Sequence, residues 1–411
     1  MQIRKAAIDS LADILIRHRK AEPAMERYGG RSDVRGRALL HQIVYGVLRR
    51  FYSLEADYSR FCRSKPDETA QMALLVGSYQ LRHMRIPVHA AVSETVAAVM
   101  QSNPKGAGFV NAVLRRVAEH ESPGKLKPYQ RAELPRWMYN RWRDAFGAEV
   151  VARCCDALRE VPPLCLALFV ERKAWMAEAA ASDIAVSVGT LSPYAVLLAA
   201  GSDVRSLPGY AEGAFMVMDQ AAQAAVMALP DPCANGVIVD LCASPGGKSA
   251  LLSHRFPKVK IIAVELNSTR LPRLRENLKR LKCHNVEVVQ ADGTQLPFAD
   301  GSVDGLLLDG PCSASGILRR HPDAKFLHDE QDVKTLALLQ RQLLKEAERV
   351  LKEQASMVYA VCSIQPQENE LVLVDSKREW QMQRRFPALQ WDGFFHAITE
   401  PICLKDSYLK L

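Results

Sequence analysis

No uncharged apolar run approaches the ~18 residues that a membrane-crossing helix needs, so none of the 411 residues is expected to span a bilayer. The ten cysteines contain no CxxC pair and no finger-like grouping with histidine, which predicts no structural metal site. Cys62, Cys154, Cys155, Cys165, Cys233, Cys242, Cys283, Cys312, Cys362 and Cys403 are expected to be reduced thiols of a cytoplasmic protein. A secretory leader is not expected either, because Met1-Gln2-Ile3-Arg4-Lys5-Ala6 soon meets Asp9 and Asp13, where an apolar stretch would have to lie. Both common phosphate fingerprints, GxxxxGK[ST] and GxGxxG, are missing at the one Gly-rich strand-to-helix turn.

What is present is enough apolar residue for real cores, 48% of the chain, alongside 24% charged residues. A single core rarely grows past roughly 250–300 residues, so two or three domains are expected. The charge is unevenly placed. Residues 1–120 hold 19 Lys and Arg against 11 Asp and Glu, a net of +8 that equals the whole chain's +8. A basic module joined to a neutral remainder suits a phosphate backbone, although an ordinary solvated surface with surplus arginine explains the same count.

Residues 1–124 read as an all-helical bundle. Apolar positions recur at helical spacing from Leu39-Leu40 through Ile43-Val44 and Val47-Leu48 to Phe51 and Leu54. Further helical runs cover 69–83, 90–101 and 108–120, and Pro87 and Pro104 punctuate them. Ser122-Pro123-Gly124 opens a breaker-rich linker, and 125–210 suggests a small mixed α/β piece that begins with helix over 134–160. From 211 to 411 short β-rich runs (237–239, 260–264, 286–289, 303–308, 357–361) alternate with helical stretches, the clearest being 335–352. That alternation predicts an open, mostly parallel Rossmann-like sheet, which binds ligands beyond the carboxyl ends of its strands.

The strand ends carry the chemistry. The first predicted strand runs into Asp240-Leu241-Cys242-Ala243-Ser244-Pro245-Gly246-Gly247-Lys248, a turn whose glycines and following helix N-terminus favour a carboxylate-bearing nucleoside over a triphosphate. Glu265 ends the second strand, where an acid typically accepts ribose hydroxyls, and Asp292 follows the third, where it can take an exocyclic amine. Each acid alone is as easily a solvated strand end. Three in successive units after a Gly-rich turn describe a site for S-adenosylmethionine (SAM).

The fourth strand ends in Asp309-Gly310-Pro311-Cys312 and the fifth in Val361-Cys362. A lone cysteine is usually a small buried hydrophobe, but two at neighbouring strand ends shift the reading toward nucleophilic chemistry. Carbon 5 of a pyrimidine becomes nucleophilic only after a thiolate adds to C6, and a second thiol can assist breakdown of that adduct. Asp309 would hold the ring edge or the cofactor's amino group. Amino methylation would instead need an NPPY-like tetrapeptide at strand four, and 309–312 is not one.

Asp240–Lys248, Asp309–Ser313 with Gly316–Asp323, and Tyr359–Ser363 with Pro366-Gln367-Glu368-Asn369 resemble the RNA cytosine-C5 methyltransferases. Tyr45-Gly46-Val47-Leu48-Arg49, Gly77-Ser78-Tyr79-Gln80, Ile86–Glu94 and Gly108–Arg115 are similar to a NusB-like RNA-binding domain. That domain order resembles the bacterial small-subunit ribosomal RNA methyltransferase B (Sun/Fmu) family. The resemblance implies a NusB-like domain at 1–124, a small RNA-positioning domain at 125–210 and a class I SAM-dependent methyltransferase domain at 211–411. It implies Cys362 as nucleophile and Cys312 as the releasing thiol. It implies Cys242, Ala243, Ser244, Pro245, Gly246, Gly247, Lys248, Glu265, Asp292 and Asp309 as the cofactor site. The implied reaction is C5 methylation of one cytosine in 16S ribosomal RNA by a cytoplasmic monomer, on naked RNA or a partly assembled subunit, without metal or membrane. Transfer RNA or another ribosomal site is the alternative substrate, and a non-catalytic assembly factor the alternative class.

Arg319, Arg320, His321 and Lys325 resemble the family's segment beside the substrate, with loop packing as the competing explanation. The chain departs from the family at Ser244 and Gly310 (usually Ala), Glu265 (more often Asp), Val361 (usually Thr) and Leu166-Ala167-Leu168, which lacks an expected Arg. The stretch from Asn369 to Phe395 is shorter than in the family, which predicts trimmed closing strands.

Overall fold

The computed structural model describes residues 3–232 and 236–399, so Cys233 and Cys403 lie outside the described residues. Two compact units divide the chain: Met1–Glu160 with Leu318–Glu330, and Val161–Ile317 with Gln331–Leu411. Among the described residues no helix is long and apolar enough to cross a membrane.

The first unit is helical. Its start signals are local: Asp33 caps the helix Val34–Arg49 by accepting from Gly36 N, Asp67 caps Glu68–His83 through Ala70 N, and Asn103 caps Pro104–Glu119 through Gly106 N. Two helices meet where Gly46 faces Tyr79; a Cβ at Gly46 would sit 1.9 Å from the ring's Cζ. A Cβ at Gly77 would sit 2.4 Å from Leu114 Cδ1. The NusB-like motif residues at 45–49 and 77–80 therefore include the glycines that let helix axes approach. Buried Asp57 accepts from Arg82 Nε at 2.7 Å and from Arg60 Nη2 at 2.8 Å, so its charge is compensated.

Two further helices of this unit, Arg136–Phe146 and Ala148–Arg159, replace the single predicted run over 134–160. Gly147 breaks them, with φ of +81°. The segment Leu318–Glu330 completes the unit. Arg49 donates to Arg319 O from Nε and Nη2 (3.0 and 2.8 Å), Ala21 N donates to Asp323 Oδ2 (3.0 Å), and Lys325 Nζ donates to Glu133 O (2.7 Å).

In the second unit a small antiparallel sheet has order β2-β3-β1-β4, from β1 (Leu164–Leu168), β2 (Val186–Val188), β3 (Ala195–Leu198) and β4 (Phe215–Val217). Leu166, Ala167 and Leu168 are buried in β1, so the place where the resemblance predicts an Arg is a core position here.

The large sheet has seven strands: β5 (Val237–Leu241), β6 (Lys260–Glu265), β7 (Val286–Gln290), β8 (Val303–Asp309), β9 (Leu351–Val361), β10 (Trp380–Arg385) and β11 (Phe394–Thr399). Their order is β10-β11-β9-β8-β5-β6-β7. Neighbours from β9 to β7 pair in parallel, and β10 and β11 run antiparallel. The chain steps outward from β5 to β7 and returns to β8 on β5's other side. Strand order thus reverses between β5 and β8, which places the open crevice at their carboxyl ends. The closing strands expected to be trimmed, β10 and β11, form a six-pair ladder, and the connection from β9 to β10 carries two 3-10 turns.

Candidate active site

The crevice is a cavity of about 430 Å³. It is lined by residues from every strand end singled out in the sequence: Cys242 and Ser244 after β5, Glu265 of β6, Asp292 after β7, Asp309 and Cys312 at β8, and Cys362 after β9. Ala243, Pro245, Gly246, Gly247 and Lys248 belong to the same turn but do not line it. Gly246, with φ of +100°, starts the helix Gly247–Arg255. Cys242 adopts a left-handed conformation, φ +65°, which costs a non-glycine residue roughly 1–2 kcal/mol.

The carboxylates differ in their engagement. Glu265 is nearly buried, accepting from Asn267 N at 2.9 Å and Ser244 N at 3.3 Å, so β6 braces the turn after β5. Asp292 is exposed and accepts from Thr294 N and Oγ1 at 2.8 and 2.7 Å, which hold its carboxyl below the usual range. Asp309 Oδ2 pairs with Lys248 Nζ at 2.5 Å. Burial opposes the Lys248 charge, but Asp309, with smaller help from Asp240 and Cys362, pushes its pKa up. Asp240 is wholly buried beneath the turn. Burial pushes its pKa up to about 7 against the bond from Ser249, and its Oδ1 has no hydrogen-bond partner among the described residues.

The two strand-end thiols meet. Cys312 Sγ and Cys362 Sγ are 3.3 Å apart, because β8 and β9 are neighbours in register, Asp309 opposite Ala360. Both are half-buried. The bond to Cys362, then burial, then the charges of Cys362 and Glu368 push the Cys312 thiol well above its ordinary pKa. Burial, followed by Asp309, Glu265 and Asp240, pushes Cys242 up to about 12, so this third thiol stays protonated and inert. Val361 is fully buried, packing into the sheet core behind Cys362.

A cavity of this volume with acids at successive strand ends, a braced turn and an unpartnered Asp240 oxygen beneath it fits a nucleoside with hydroxyls and an amino group. Pattern reading missed Asn267, Arg270, Thr294, Leu339 and Leu343, which also line the cavity. Leu339 and Leu343 were legible only as the apolar face of a helix, here Glu330–Val350. Arg319 and Lys325 are buried inside the first unit, so loop packing accounts for both, while Arg320 is half-buried and His321 exposed.

Comparison with known proteins agrees with this layout. Residues 226–395 match the model of the 16S rRNA methyltransferase RsmB/F family, and residues 1–119 match the NusB family. Ribosomal RNA small subunit methyltransferase B of Shewanella oneidensis is 37% identical over 90% of this chain and 88% of its own. The protein of that name from Vibrio cholerae is 36% identical, with the same coverage. Among solved structures, that of PH0851 superposes with a TM-score of 0.80 at 20% identity, covering 97% of this chain and 99% of its own. NSun6 from Pyrococcus horikoshii, solved with SFG, gives 0.60 at 18% identity over 65% of this chain and 98% of its own. These two likenesses establish the shared fold.

Proposed function

The chain belongs to the ribosomal RNA small subunit methyltransferase B family and is a SAM-dependent methyltransferase, and from that premise we propose that it methylates C5 of one cytosine in 16S ribosomal RNA through a covalent adduct of Cys362. The observation that carries this reading is the pair of thiols at 3.3 Å in the same cavity as Glu265, Asp292 and Asp309.

When bound, SAM supplies an electrophilic methyl group on a sulfonium. The Cys362 thiolate forms a C–S bond to cytosine C6, which turns C5 into an enamine carbon. C5 would take, with that electron pair, the methyl group that bound SAM supplies, the electrons of the methyl–sulfur bond staying on sulfur. Solvent water takes the C5 proton, the C5–H electrons restore the C5–C6 double bond, and the C6–S bond breaks to return the Cys362 thiolate. Cys312 assists this breakdown. Glu265 and Asp292 would hold the cofactor's nucleoside, the backbone of the Cys242–Lys248 turn would take its charged end, and Asp309, fixed by Lys248, would serve the reacting ring. The base must be unstacked to reach Cys362, at a few kcal/mol, which favours a loop cytosine. The NusB-like domain at 1–124 and the segment 125–210 position the RNA, and the catalytic domain is drawn from 211–411 without Leu318–Glu330, which belongs to the first unit. We place the enzyme in the cytoplasm as a monomer.

The test is methyl transfer from labelled SAM to unmodified 16S ribosomal RNA, with bisulfite sequencing of the product. One new 5-methylcytosine is expected. SAM binding with no transfer to naked RNA or to small-subunit particles would overturn the substrate.

A further inference from the structure

Behind the two thiols lies a buried carboxylate that the reaction as described does not use. Glu368 is fully buried in the 3-10 turn Pro366–Glu368 that follows β9. Its Oε1 accepts from Ser313 N at 2.7 Å and from Gln340 Nε2 at 3.4 Å. Its Oε2 accepts from Ser313 Oγ and from Ser363 Oγ, both at 2.5 Å. Ser313 follows Cys312 and Ser363 follows Cys362, so one side chain ties the residue after each thiol to a single point.

The hydrogen-bond directions fit an anion. Ser313 N–H and the Gln340 amide can only donate to Oε1. Ser363 Oγ accepts from Gln365 N at 3.1 Å and has one proton, which reaches Oε2 at 2.5 Å, with Ser315 Oγ at 2.9 Å as its other neighbour. Burial pushes the Glu368 pKa up, and these donors work against it. Gly316 N–H, donating to Cys362 O at 3.0 Å, closes a second link between the two turns.

Two thiols 3.3 Å apart cannot both ionise without strong repulsion, so once one has ionised the other keeps its proton. Which sulfur keeps it depends on the surrounding charges. Glu368 acts on Cys312. On the other side the Lys248 ammonium interacts with Cys362, while being itself paired to Asp309. Tyr359, whose hydroxyl donates to Glu368 O at 2.6 Å, stays neutral because burial first, then the charges of Cys312, Glu368 and Asp309, raise it.

We propose that Glu368 is a positioning residue: its carboxylate clamps the Cys312 and Cys362 turns together, and its charge directs their shared proton to Cys312 so that Cys362 reacts. This rests on the assignment of Cys362 as nucleophile, and it supplies a reason for that assignment in the charges around the pair.

The test is alkylation of the full-length protein by iodoacetamide across pH 5–10, in which a thiolate displaces iodide, with each cysteine peptide quantified by mass spectrometry. The wild type is expected to alkylate at Cys362 first, and Cys312 only at a pH at least one unit higher. In Glu368→Gln the Cys312 midpoint is expected to fall by about one unit and the selectivity to narrow. In the same variant kcat for methyl transfer should fall about 10- to 100-fold, with the KM for RNA and the SAM Kd within twofold. Ser313→Ala removes one donor but keeps the charge, so its Cys312 midpoint should stay or rise; this variant decides the question if Glu368→Gln does not fold. An unchanged selectivity in folded Glu368→Gln, or a fall of the midpoint in Ser313→Ala, would overturn the proposal. The alkylation readout needs neither RNA nor SAM, so a wrong substrate would not be mistaken for a wrong role of Glu368.

Discussion

At the scale of single residues, the two thiols make separable predictions. Cys362→Ala removes the group that adds to C6, so methyl transfer is expected to drop below detection while SAM binding, read by calorimetry, stays within twofold. Cys312→Ala leaves addition intact and slows breakdown, so a protein–RNA adduct is expected to accumulate on denaturing gels. Equal residual activity of the two variants would refute the division of labour. Asp240 gives a pH prediction. Its folded-state pKa, about 7, lies above the usual carboxylate value, so the protonated form is the one the fold favours. That stability is complete below about pH 4 and is lost as pH rises through about 7, on the order of 4 kcal/mol by linkage. Asp240→Asn should flatten the fall in Tm between about pH 4 and 7. The seven cavity-lining residues singled out in advance were legible because strand-end chemistry is local in the chain. Glu368 stands in the Pro366–Asn369 motif, but its task is not legible there, since its partners Ser313 and Gln340 come from 55 and 28 residues away.

At the scale of elements, close helix crossings set what the helical unit tolerates. Gly46→Ala would drive a methyl into the Tyr79 ring, and an overpacked crossing costs about 1–3 kcal/mol. Gly108, in the exposed part of the helix Pro104–Glu119, has nothing within 4 Å of a Cβ. Gly108→Ala should therefore stabilise the unit by about 0.5–1 kcal/mol through helix propensity. Urea unfolding of both variants, followed by helical circular dichroism, checks the opposite signs. Helices and strands were legible where periodicity or β-branched runs made them so: the helices over 68–83 and 104–119, and β5 to β8, start within four residues of their expected positions. Boundaries set by tertiary structure were not. The expected helix over 335–352 ends at Val350, and β9 begins at Leu351, because Leu351 pairs with Val303 across the sheet. The helices Ala21–Gly29 and Phe51–Ser59 have no side-chain cap of their own. Their N-terminal amides are taken by Asp323 and by Glu133, 302 and 81 residues away, which no local pattern reveals.

At the scale of the whole molecule, the chain does not divide into consecutive pieces, because Leu318–Glu330 belongs with Met1–Glu160. The segment begins six residues after Cys312. It carries Arg319, Asp323, Ala324 and Lys325, all buried, and Phe326, whose ring lies 5.0 Å from that of Phe51. Lys325 shows how closely the segment is held. Burial pushes its pKa down to about 8, against the attraction of Glu133, and its ammonium still reaches Glu133 O at 2.7 Å. Such a residue is placed there by the surrounding helices and has no reason to stay buried without them. Hydrogen exchange should therefore find the amides of 318–330 protected in the full chain. In a chain reduced to residues 161–411 the same amides should exchange at the rate of an open loop, with those of β8 and β9 still protected. Protection of 318–330 in the shortened chain would mean that the segment folds without the helices it packs among, and that the two units are energetically closer to independent than their shared chain path implies.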